Sequence, residues 1–420
     1  MRKIVFLIGI SFSLANCSDK KPLEKCPRID VVNNTGKYQR VYCSELFSSI
    51  ELIPLETRKE CLLDAAPTSK VLLTDSFIFM TGDGRLYAFD RSGKFLNPIG
   101  EKGRGPGEYQ NASAGFFLNY DRQIIYVQEY VKILEYDFNG KFIRSIQLPD
   151  VDGGYLTDCA YVEDNLFVGA VHYSGNNKYR YCLFDQNGDT VKCFPNHIFF
   201  NRLSDFASSN DRPLDPVRVD NRIYLKDNVN DTIYILANSN LNPAYVFDFG
   251  KYSYPKEALE NIQNLLYFES RTYGFLSSFG SLVGTPKYFF YQISVPQQFS
   301  TPKSNPRYNH LLNQYRSTER SVYGIYNIAQ NTNVLLDTDQ HFQKGIINDM
   351  NGGLPLVPRY YAGNDEIVDY WLADDMKAML TEEYFATQKI KDPQAHQRLR
   401  ELLKDLKEDD NPIVVVAKLK

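Results

Sequence analysis

A short segment recurs along the chain at an almost constant interval, and this repeat constrains the fold more than any other feature. Its copies lie at residues 86–95, 134–142 and 183–189. In each copy an alternating apolar run meets a Ser-Gly or Asn-Gly pair, and the glycines stand at positions 93, 140 and 188. Such a pattern is typical of a β-hairpin, and the pairs predict two-residue type I′ turns. The sequence therefore predicts a chain built from repeated β units.

The repeat unit has the length and strand number of a propeller blade. A further strand-like run precedes each hairpin, which gives about 45 residues and four strands per unit. Less regular copies follow at residues 222–249, 288–326 and 345–417. Propellers avoid exposed edge strands by pairing strands from the two chain ends, and residues 49–55 and 412–419 suit this role. We therefore predict an all-β, six-bladed β-propeller over residues 45–420.

Two stretches depart from the strand pattern and predict helical insertions, at about residues 255–268 and 374–407. The first begins with Pro255, a residue favoured in the first turn of a helix, and carries apolar residues at helical spacing. The second ends in a stripe of leucines at positions 399, 402, 403 and 406. The stripe is too short for a coiled coil, so we expect these leucines to pack against the propeller.

The N-terminus predicts export. Arg2 and Lys3 precede an apolar stretch at 4–14 that is too short to span a bilayer, and Cys17 follows closely. This arrangement resembles a bacterial lipoprotein signal peptide, which implies removal of residues 1–16 and acylation of the Cys17 thiol; an ordinary secretory signal is the alternative. Residues 17–44 are then a tether and N-terminal segment. We expect a lipid-anchored protein of the bacterial cell envelope, in the outer membrane.

The charge balance argues against a nucleic-acid partner. The chain has 47 Lys and Arg residues against 51 Asp and Glu residues, a formal net charge of −4. It contains no basic patch, and no later apolar run approaches the ~20 residues of a membrane span. We expect contact with the membrane through the lipid anchor alone.

Four segments resemble those of one protein family. They are Ile-Glu-Leu-Ile-Pro-Leu-Glu-Thr at 50–57, Ile-Gly-Glu-Lys-Gly-Arg-Gly-Pro-Gly-Glu-Tyr at 99–109, Asp-Thr-Ile-Tyr at 231–234 and Asn-Pro-Ile-Val-Val-Val at 411–416. They look like the six-bladed β-propeller lipoproteins common in Bacteroidetes, which are similar to NHL-repeat propellers. The resemblance runs from about residue 45 to 420. It implies the fold and an envelope location, and it implies no particular activity.

Two glycine-rich loops provide the candidate ligand-binding residues. The loop at 103–107 lacks the Lys-Ser/Thr ending of a phosphate-binding loop, so a tight connection between blades is the favoured interpretation. A second loop, at 349–361, combines glycines with arginine and tyrosines suited to sugars or peptides. Loops at a propeller face are common ligand sites. Six residues are therefore candidates: Arg104, Glu108, Tyr109, Asn351, Arg359 and Tyr360.

Cys182 and Cys193 are the candidate disulfide. A two-residue turn at Asn187-Gly188 places them directly opposite each other, at a hydrogen-bonded position with Cα atoms ~5.5 Å apart. An exported protein can oxidise such a pair. Two packed free thiols are the alternative, and the other cysteines show no metal-ligand spacing.

The sequence shows no constellation of catalytic or metal-ligating residues. The five histidines, at 172, 197, 310, 341 and 396, are isolated from one another, and aspartates 90, 137 and 185 fit turn stabilisation better than catalysis. We therefore expect no metal and no cofactor. The predicted function is a non-catalytic binding or scaffold propeller for a protein, peptide or glycan. The alternative is a propeller-type hydrolase or lyase with a divalent metal in the central channel.

Overall fold

In the computed structural model of the protein, six small β-sheets form a ring, so the chain is a six-bladed β-propeller and the predicted fold class is confirmed. The structure describes residues 26–64, 69–172, 177–197, 214–227, 230–253, 279–295, 299, 301–302, 318–319, 321–339 and 343–420.

Each blade contains four antiparallel strands. From the innermost strand outward, blade 1 contains Val71–Leu73, Phe77–Gly82, Arg85–Asp90 and Phe95–Pro98, and blade 2 contains Phe116–Asn119, Ile124–Gln128, Lys132–Asp137 and Phe142–Gln147. In the same order, blade 3 contains Leu156–Tyr161, Leu166–Val171, Tyr179–Asp185 and Thr190–Pro195, and blade 4 contains Val217–Val219, Arg222–Lys226, Thr232–Ala237 and Asn240–Asp248. Blade 5 contains Phe279–Gly284, Tyr288–Ser294, Ser321–Asn327 and Thr332–Leu335, and blade 6 contains Tyr360–Gly363, Glu366–Trp371, Ile413–Leu419 and Phe47–Pro54. Two short strand pairs lie outside the blades: Glu101–Lys102 with Glu108–Tyr109, and Thr301–Pro302 with Thr318–Glu319.

The ring closes in blade 6, where the two chain ends meet. Phe47–Pro54 is the outermost strand and pairs antiparallel with Ile413–Leu419 near the C-terminus. The predicted pairing of the chain ends is therefore confirmed. The predicted start of this blade near residue 345 is wrong, because Ile346 and Ile347 form only isolated bridges and the first strand is Tyr360–Gly363.

Asn411, which lies just before the C-terminal strand, forms further hydrogen bonds between the two chain ends. Its side-chain amide nitrogen donates to Glu56 O at 2.7 Å and to Cys61 O at 2.8 Å. Its amide oxygen accepts from Leu63 N at 2.8 Å. The side chain is buried. One amide therefore satisfies three backbone groups of the segment that follows the outermost strand of blade 6.

Part of the predicted tether belongs to the fold. Arg28–Asp30 forms a fifth strand of blade 4, parallel to Asn240–Asp248. Ile29 and Val31 are fully buried. The interpretation of residues 17–44 as a tether and N-terminal segment missed this strand, because a run of three residues is too short for an alternation pattern to reveal.

The repeat hairpins have a different turn from the predicted one. In blade 1, Gly93 N donates to Asp90 O at 3.0 Å and Asp90 N donates to Lys94 O at 2.9 Å. Only the glycine of this turn has a positive φ, +86°. This is a type I turn followed by a glycine bulge, with one more loop residue than a type I′ turn. Residues 137–141 and 185–189 repeat the same bonds, so the two-residue prediction is wrong for all three hairpins.

An aspartate opens each of these turns and holds the loop in place. Asp90 Oδ1 accepts from Ser92 N at 2.8 Å and from Lys94 N at 3.1 Å, and Asp137 and Asp185 accept equivalent bonds. The pKa of Asp90 is lowered, chiefly by its hydrogen bond with the Ser92 hydroxyl. The pKa of Asp185 is lowered, chiefly by the backbone N–H of residue 189. The geometry agrees with a turn-stabilising role for the recurrent aspartates.

The turn glycines also determine how closely neighbouring blades approach. A Cβ atom added to Gly93 would lie 2.1 Å from Pro54 O, on the outermost strand of blade 6. Cβ atoms added to Gly140 and Gly188 would lie 2.5 Å and 2.1 Å from carbonyl oxygens on the outermost strands of blades 1 and 2. Each repeat turn thus rests on the preceding blade, and glycine is required there by both its φ and its size.

Strand direction defines two faces of the ring. Connections between blades, and those between the second and third strands of a blade, lie at one face, which we call the insertion face. The repeat turns, and the connections between first and second strands, lie at the opposite face, which we call the turn face. The chain between Glu366–Trp371 and Ile413–Leu419, which contains the predicted insertion at 374–407, belongs to the insertion face.

Three helices lie between the second and third strands of blade 6. The helices of the described chain are α1 (Cys43–Leu46), α2 (Ala373–Met379), α3 (Glu382–Ala386) and α4 (Pro393–Asp405), with 3₁₀ turns at Lys59–Cys61, Ala112–Ala114 and Gly250–Tyr252. The Asp392 side chain caps α4 by accepting from Ala395 N. Leu399 and Leu406 are buried, and Leu402 and Leu403 pack against the same core, so the leucine stripe packs against the propeller as expected.

The helix predicted at 255–268 lies outside the described residues. Within the ranges given above, no helix is long and apolar enough to cross a membrane.

Candidate functional site

The innermost strands surround a channel that is divided into two cavities. The larger cavity, which we call the funnel, has a volume of about 650 Å³ and is lined by the insertion-face ends of several innermost strands. The smaller cavity has a volume of about 390 Å³ and is lined by turn-face residues such as 74–77 and 363–364. The funnel therefore lies on the side of the ring that carries the helices.

Four side chains line both cavities and form a constriction between them: Tyr120, Arg218, Tyr360 and Tyr361. Tyr120 follows the innermost strand of blade 2, and Tyr360 begins that of blade 6. The two hydroxyls are hydrogen-bonded to each other. Burial raises the pKa of both tyrosines, so both hydroxyls stay protonated at neutral pH.

Arg218 is the cation of the constriction. It lies between the buried Val217 and Val219 on the innermost strand of blade 4. Its Nη2 donates to Val162 O at 3.0 Å and also to Tyr161 O. In the described part of the chain no carboxylate forms an ion pair with it. Burial lowers the pKa of Arg218, but an arginine remains charged at neutral pH. The constriction therefore carries a positive charge that is attracted by the Asp121 carboxylate but forms no ion pair with a described residue.

Arg359, in contrast, is neutralised at the funnel wall. Its Nε donates to Asp369 Oδ1 at 2.7 Å, and its guanidinium lies 4.3 Å from the ring centroid of Tyr370. Asp369 is 2% exposed and also accepts from Val357 N at 2.8 Å. Burial raises the pKa of Asp369, and the neighbouring guanidinium opposes that shift. This buried partner fixes the position of Arg359.

A second, exposed ion pair lies at the funnel wall. Lys70 Nζ is 2.7 Å from Asp215 Oδ2, and the two side chains are 31% and 59% exposed. Exposed pairs of this kind contribute about 0–1 kcal/mol to stability. Both partners remain accessible to solvent, and hence to a ligand that enters the funnel.

Three of the six predicted ligand residues lie elsewhere. Arg104, Glu108 and Tyr109 line neither cavity. Tyr109 is fully buried and its hydroxyl donates to Ile99 O at 2.9 Å. Glu108 accepts from Gly105 N at 2.7 Å, while Arg104 is exposed. The contacts of Glu108 and Tyr109 are those of a connection between blades, the favoured interpretation of this loop.

Asn351 has a structural environment as well. It is 1% exposed, its amide oxygen accepts from Gly353 N at 2.9 Å, and its carbonyl oxygen is 2.8 Å from His396 Nδ1 on α4. It lines neither cavity. Of the six candidates, the structure brings only Arg359 and Tyr360 together, both at the funnel.

Histidines do not converge in the described residues. His172 stacks on Tyr155 with ring centroids 4.4 Å apart, and His396 contacts the loop of Asn351. His310 and His341 lie outside the described residues. Across the described ranges, no group of three or more His, Cys, Asp or Glu side chains is arranged to hold a metal ion.

Cys182 and Cys193 are joined by a disulfide in the structure. They lie opposite each other in blade 3, but Phe184 pairs with Thr190, whereas a two-residue turn would pair it with Val191, because a bulge shifts the register. The Cα atoms are 4.1 Å apart, the spacing of a non-hydrogen-bonded pair. The predicted hydrogen-bonded position is therefore wrong.

We expect this disulfide in the purified protein. After denaturation without reductant, alkylation should leave Cys182 and Cys193 unmodified, while Cys26, Cys43, Cys61 and Cys159 react. Peptide mass spectrometry checks this directly. Alkylation of Cys182 and Cys193 before reduction would show that they are packed thiols.

Of the residues at the constriction, only Tyr360 was predicted from the sequence. Arg218 precedes the repeat copy at 222–249, and Tyr120 follows a strand that carries no motif. A usable signal did exist: the first strand of every blade faces the channel. Polar and aromatic residues in or beside those strands are therefore channel candidates.

The ring of six blades and its constricted channel define the chain as a β-propeller with a central cavity. Residues 26–418 match the family model "Domain of unknown function (DUF4934)", and the chain belongs to this family. None of the curated proteins matches the chain in sequence.

Solved structures from Bacteroides are similar to the chain. One is a Bacteroides fragilis protein that carries the name "Putative exported protein", with 19% identity, a TM-score of 0.67, and 94% of this chain and 99% of that one covered. Another is a member of the DUF4221 family from Bacteroides vulgatus, with 10% identity, a TM-score of 0.47, and 89% and 97% covered. At these identities the similarity to the first shows the fold alone.

Proposed function

We propose that the chain is a non-catalytic binding module of the bacterial cell envelope, which takes a peptide or glycan ligand in the funnel. Its volume of about 650 Å³ lies within the usual range for ligand pockets, ~300–1,000 Å³. Such a cavity admits a chain segment or a small molecule but not a folded domain. A folded partner would instead contact the insertion face.

One observation carries this proposal: the funnel ends at Arg218, whose guanidinium forms no ion pair with a described carboxylate. Placing an arginine in a partly buried position costs free energy unless something compensates its charge. The Arg218 guanidinium donates hydrogen bonds to two backbone carbonyl oxygens and forms no ion pair with a described carboxylate. A ligand that enters the funnel can supply the missing interaction.

The envelope location is part of the same proposal. Residues 1–17 have the pattern of a lipoprotein signal, and the similar Bacteroides fragilis protein is named as exported. We propose that Cys17 is acylated and anchors the propeller to the outer membrane, as in NHL-like propeller lipoproteins. Cys17→Ala should abolish labelling by a fatty-acid analogue and move the protein out of the membrane fraction. Unchanged labelling and fractionation would contradict the anchor.

A thermal-shift screen with short peptides and oligosaccharides tests the binding role. A ligand present at 100 times its Kd stabilises a protein by about 2.7 kcal/mol. We expect at least one compound to raise the melting temperature of the wild type and to be recovered chemically unchanged. The shift should disappear in Ser281→Trp, which fills the funnel, because Ser281 lines it.

The matched control is Ser145→Trp, on the exposed outermost strand of blade 2, which should retain the shift. Conversion of the compound to a product, or a stoichiometric metal in the purified protein, would favour a propeller hydrolase or lyase instead. A shift that persists in Ser281→Trp would place binding outside the funnel.

A further inference from the structure

We propose that the ligand of the funnel is a sugar that carries an acidic group, and that its oxyanion binds Arg218. This inference rests on the proposed function and extends it to a chemical class. It concerns the constriction, where Tyr360 is the only residue that the sequence predicted as a ligand-binding candidate.

The charges around the funnel single out Arg218. Lys70 is paired with Asp215 and Arg359 with Asp369. These two pairs leave Arg218 as the cation without an acidic partner among the described funnel residues. Asp121 attracts this guanidinium without forming an ion pair with it, so an anion at the bottom of the funnel can make the direct contact that no described carboxylate makes.

The hydrogen-bond donors of Arg218 point to the same ligand chemistry. Nη2 is occupied by the carbonyl oxygens of Tyr161 and Val162. Among the described residues, no acceptor is bound to Nε or Nη1. A guanidinium donates well to carboxylate, sulfate and phosphate oxygens, and hydrogen bonds between charged groups are roughly twice as strong as neutral ones. Because Nη2 is already used, the geometry does not select one oxyanion over another.

Tyrosines around the arginine favour a sugar over other anions. The funnel is lined by Tyr120, Tyr161, Tyr323, Tyr360 and Tyr361. A tyrosine offers a flat apolar ring and a polar hydroxyl, which suits a surface that is apolar on one side and wet on the other. A sugar ring has the same division, with C–H groups on its faces and hydroxyls at its edge. The tyrosines thus match the ring, and Arg218 matches the acidic substituent.

A neutral sugar and three relatives with different acidic groups test the inference. The probes are glucose, glucuronate, glucose 6-sulfate and glucose 6-phosphate, titrated calorimetrically into the wild-type protein. We expect at least one acidic probe to bind at least about tenfold more tightly than glucose, the loss expected when a charged hydrogen bond is absent. Arg218→Gln should remove this preference and leave glucose binding unchanged.

Arg222→Gln is the matched control, because Arg222 is exposed on the next strand of the same blade and lines neither cavity. It should keep the preference. Arg218→Lys tests the same point if Arg218→Gln does not fold, because it retains the charge and should retain a preference for the acidic probes. Equal binding of glucose and the acidic probes, or a preference that survives in Arg218→Gln, would overturn the inference.

The outcomes separate this inference from the proposed function. If neutral sugars or peptides bind in the funnel and are blocked by Ser281→Trp, the binding role stands and the acidic-sugar inference fails. If an acidic peptide binds to the wild type and its binding is lost in Arg218→Gln, Arg218 is an anion site but the inference that the ligand is a sugar fails. If no probe or screened compound binds, both proposals fail.

Discussion

Gly93→Ala should lower the free energy of unfolding by about 2 to 5 kcal/mol. An alanine at the φ of +86° seen here costs roughly 1–2 kcal/mol, because its Cβ crowds the following carbonyl. The same Cβ would also lie 2.1 Å from Pro54 O on the preceding blade, and such overpacking costs typically 1–3 kcal/mol. Gly188→Ala meets the same two conditions, with 2.1 Å to Gln147 O. Urea denaturation of each variant measures the loss.

Gly153→Ala separates the two causes. Gly153 has a φ of +74°, but a Cβ added there would have no atom within 4 Å. Its substitution should therefore cost only the conformational part, roughly 1–2 kcal/mol. Equal losses in Gly93→Ala and Gly153→Ala would mean that contact with the preceding blade contributes nothing.

Asn411→Ala should destabilise the protein by about 3 to 5 kcal/mol. The substitution removes the hydrogen bonds to Leu63 N, Cys61 O and Glu56 O, and each buried group left unpaired costs about 1–3 kcal/mol. Glu56 O also accepts from the Cys61 thiol at 3.2 Å, so its loss is the smallest of the three. Thermal and urea unfolding check the value.

Asn411→Asp keeps the shape of the side chain but replaces its amide nitrogen, a hydrogen-bond donor, with an oxygen that accepts. The carboxylate would place an oxygen against the carbonyl oxygens of residues 56 and 61, which need a donor. A protonated carboxyl can still donate, so Asn411→Asp should be less destabilised near pH 4 than at pH 7.

The control for both Asn411 variants is Asn139→Ala, at an exposed turn position, which should change stability by less than about 0.5 kcal/mol. A change just as small in Asn411→Ala would show that Asn411 does not tie the chain ends together.

The repeat and the closure were predictable because their signals are local. Alternating residues around Gly93, Gly140 and Gly188 report on strands a few residues away, and the apolar runs at the two chain ends each read as a strand. The turns were predicted with one residue too few. A Ser-Gly or Asn-Gly pair fits both a type I′ turn and a type I turn with a glycine bulge. The Asp90 side chain, which bonds Ser92 N and Lys94 N, accompanies the latter.

The candidate site was predicted only in part. Arg359 and Tyr360 were named because they stand beside a glycine-rich loop, and they do lie at the funnel. Asn351 was named for the same reason, but its amide is used within its own loop. A loop motif identifies residues near a face of the ring, yet it does not distinguish side chains that point into the channel from those that hold the loop.

The sequence by itself determined the strands, their grouping into blades and the pairing of the chain ends, because these depend on residue alternation and on turn residues close together in the chain. Only the tertiary structure decided what lies in the channel. Tyr120, Arg218 and Tyr360 come from three blades and meet because the ring brings their innermost strands together. It also decided that Arg218 forms no ion pair with a described carboxylate, since ion pairing depends on distances in space that the order of residues does not contain.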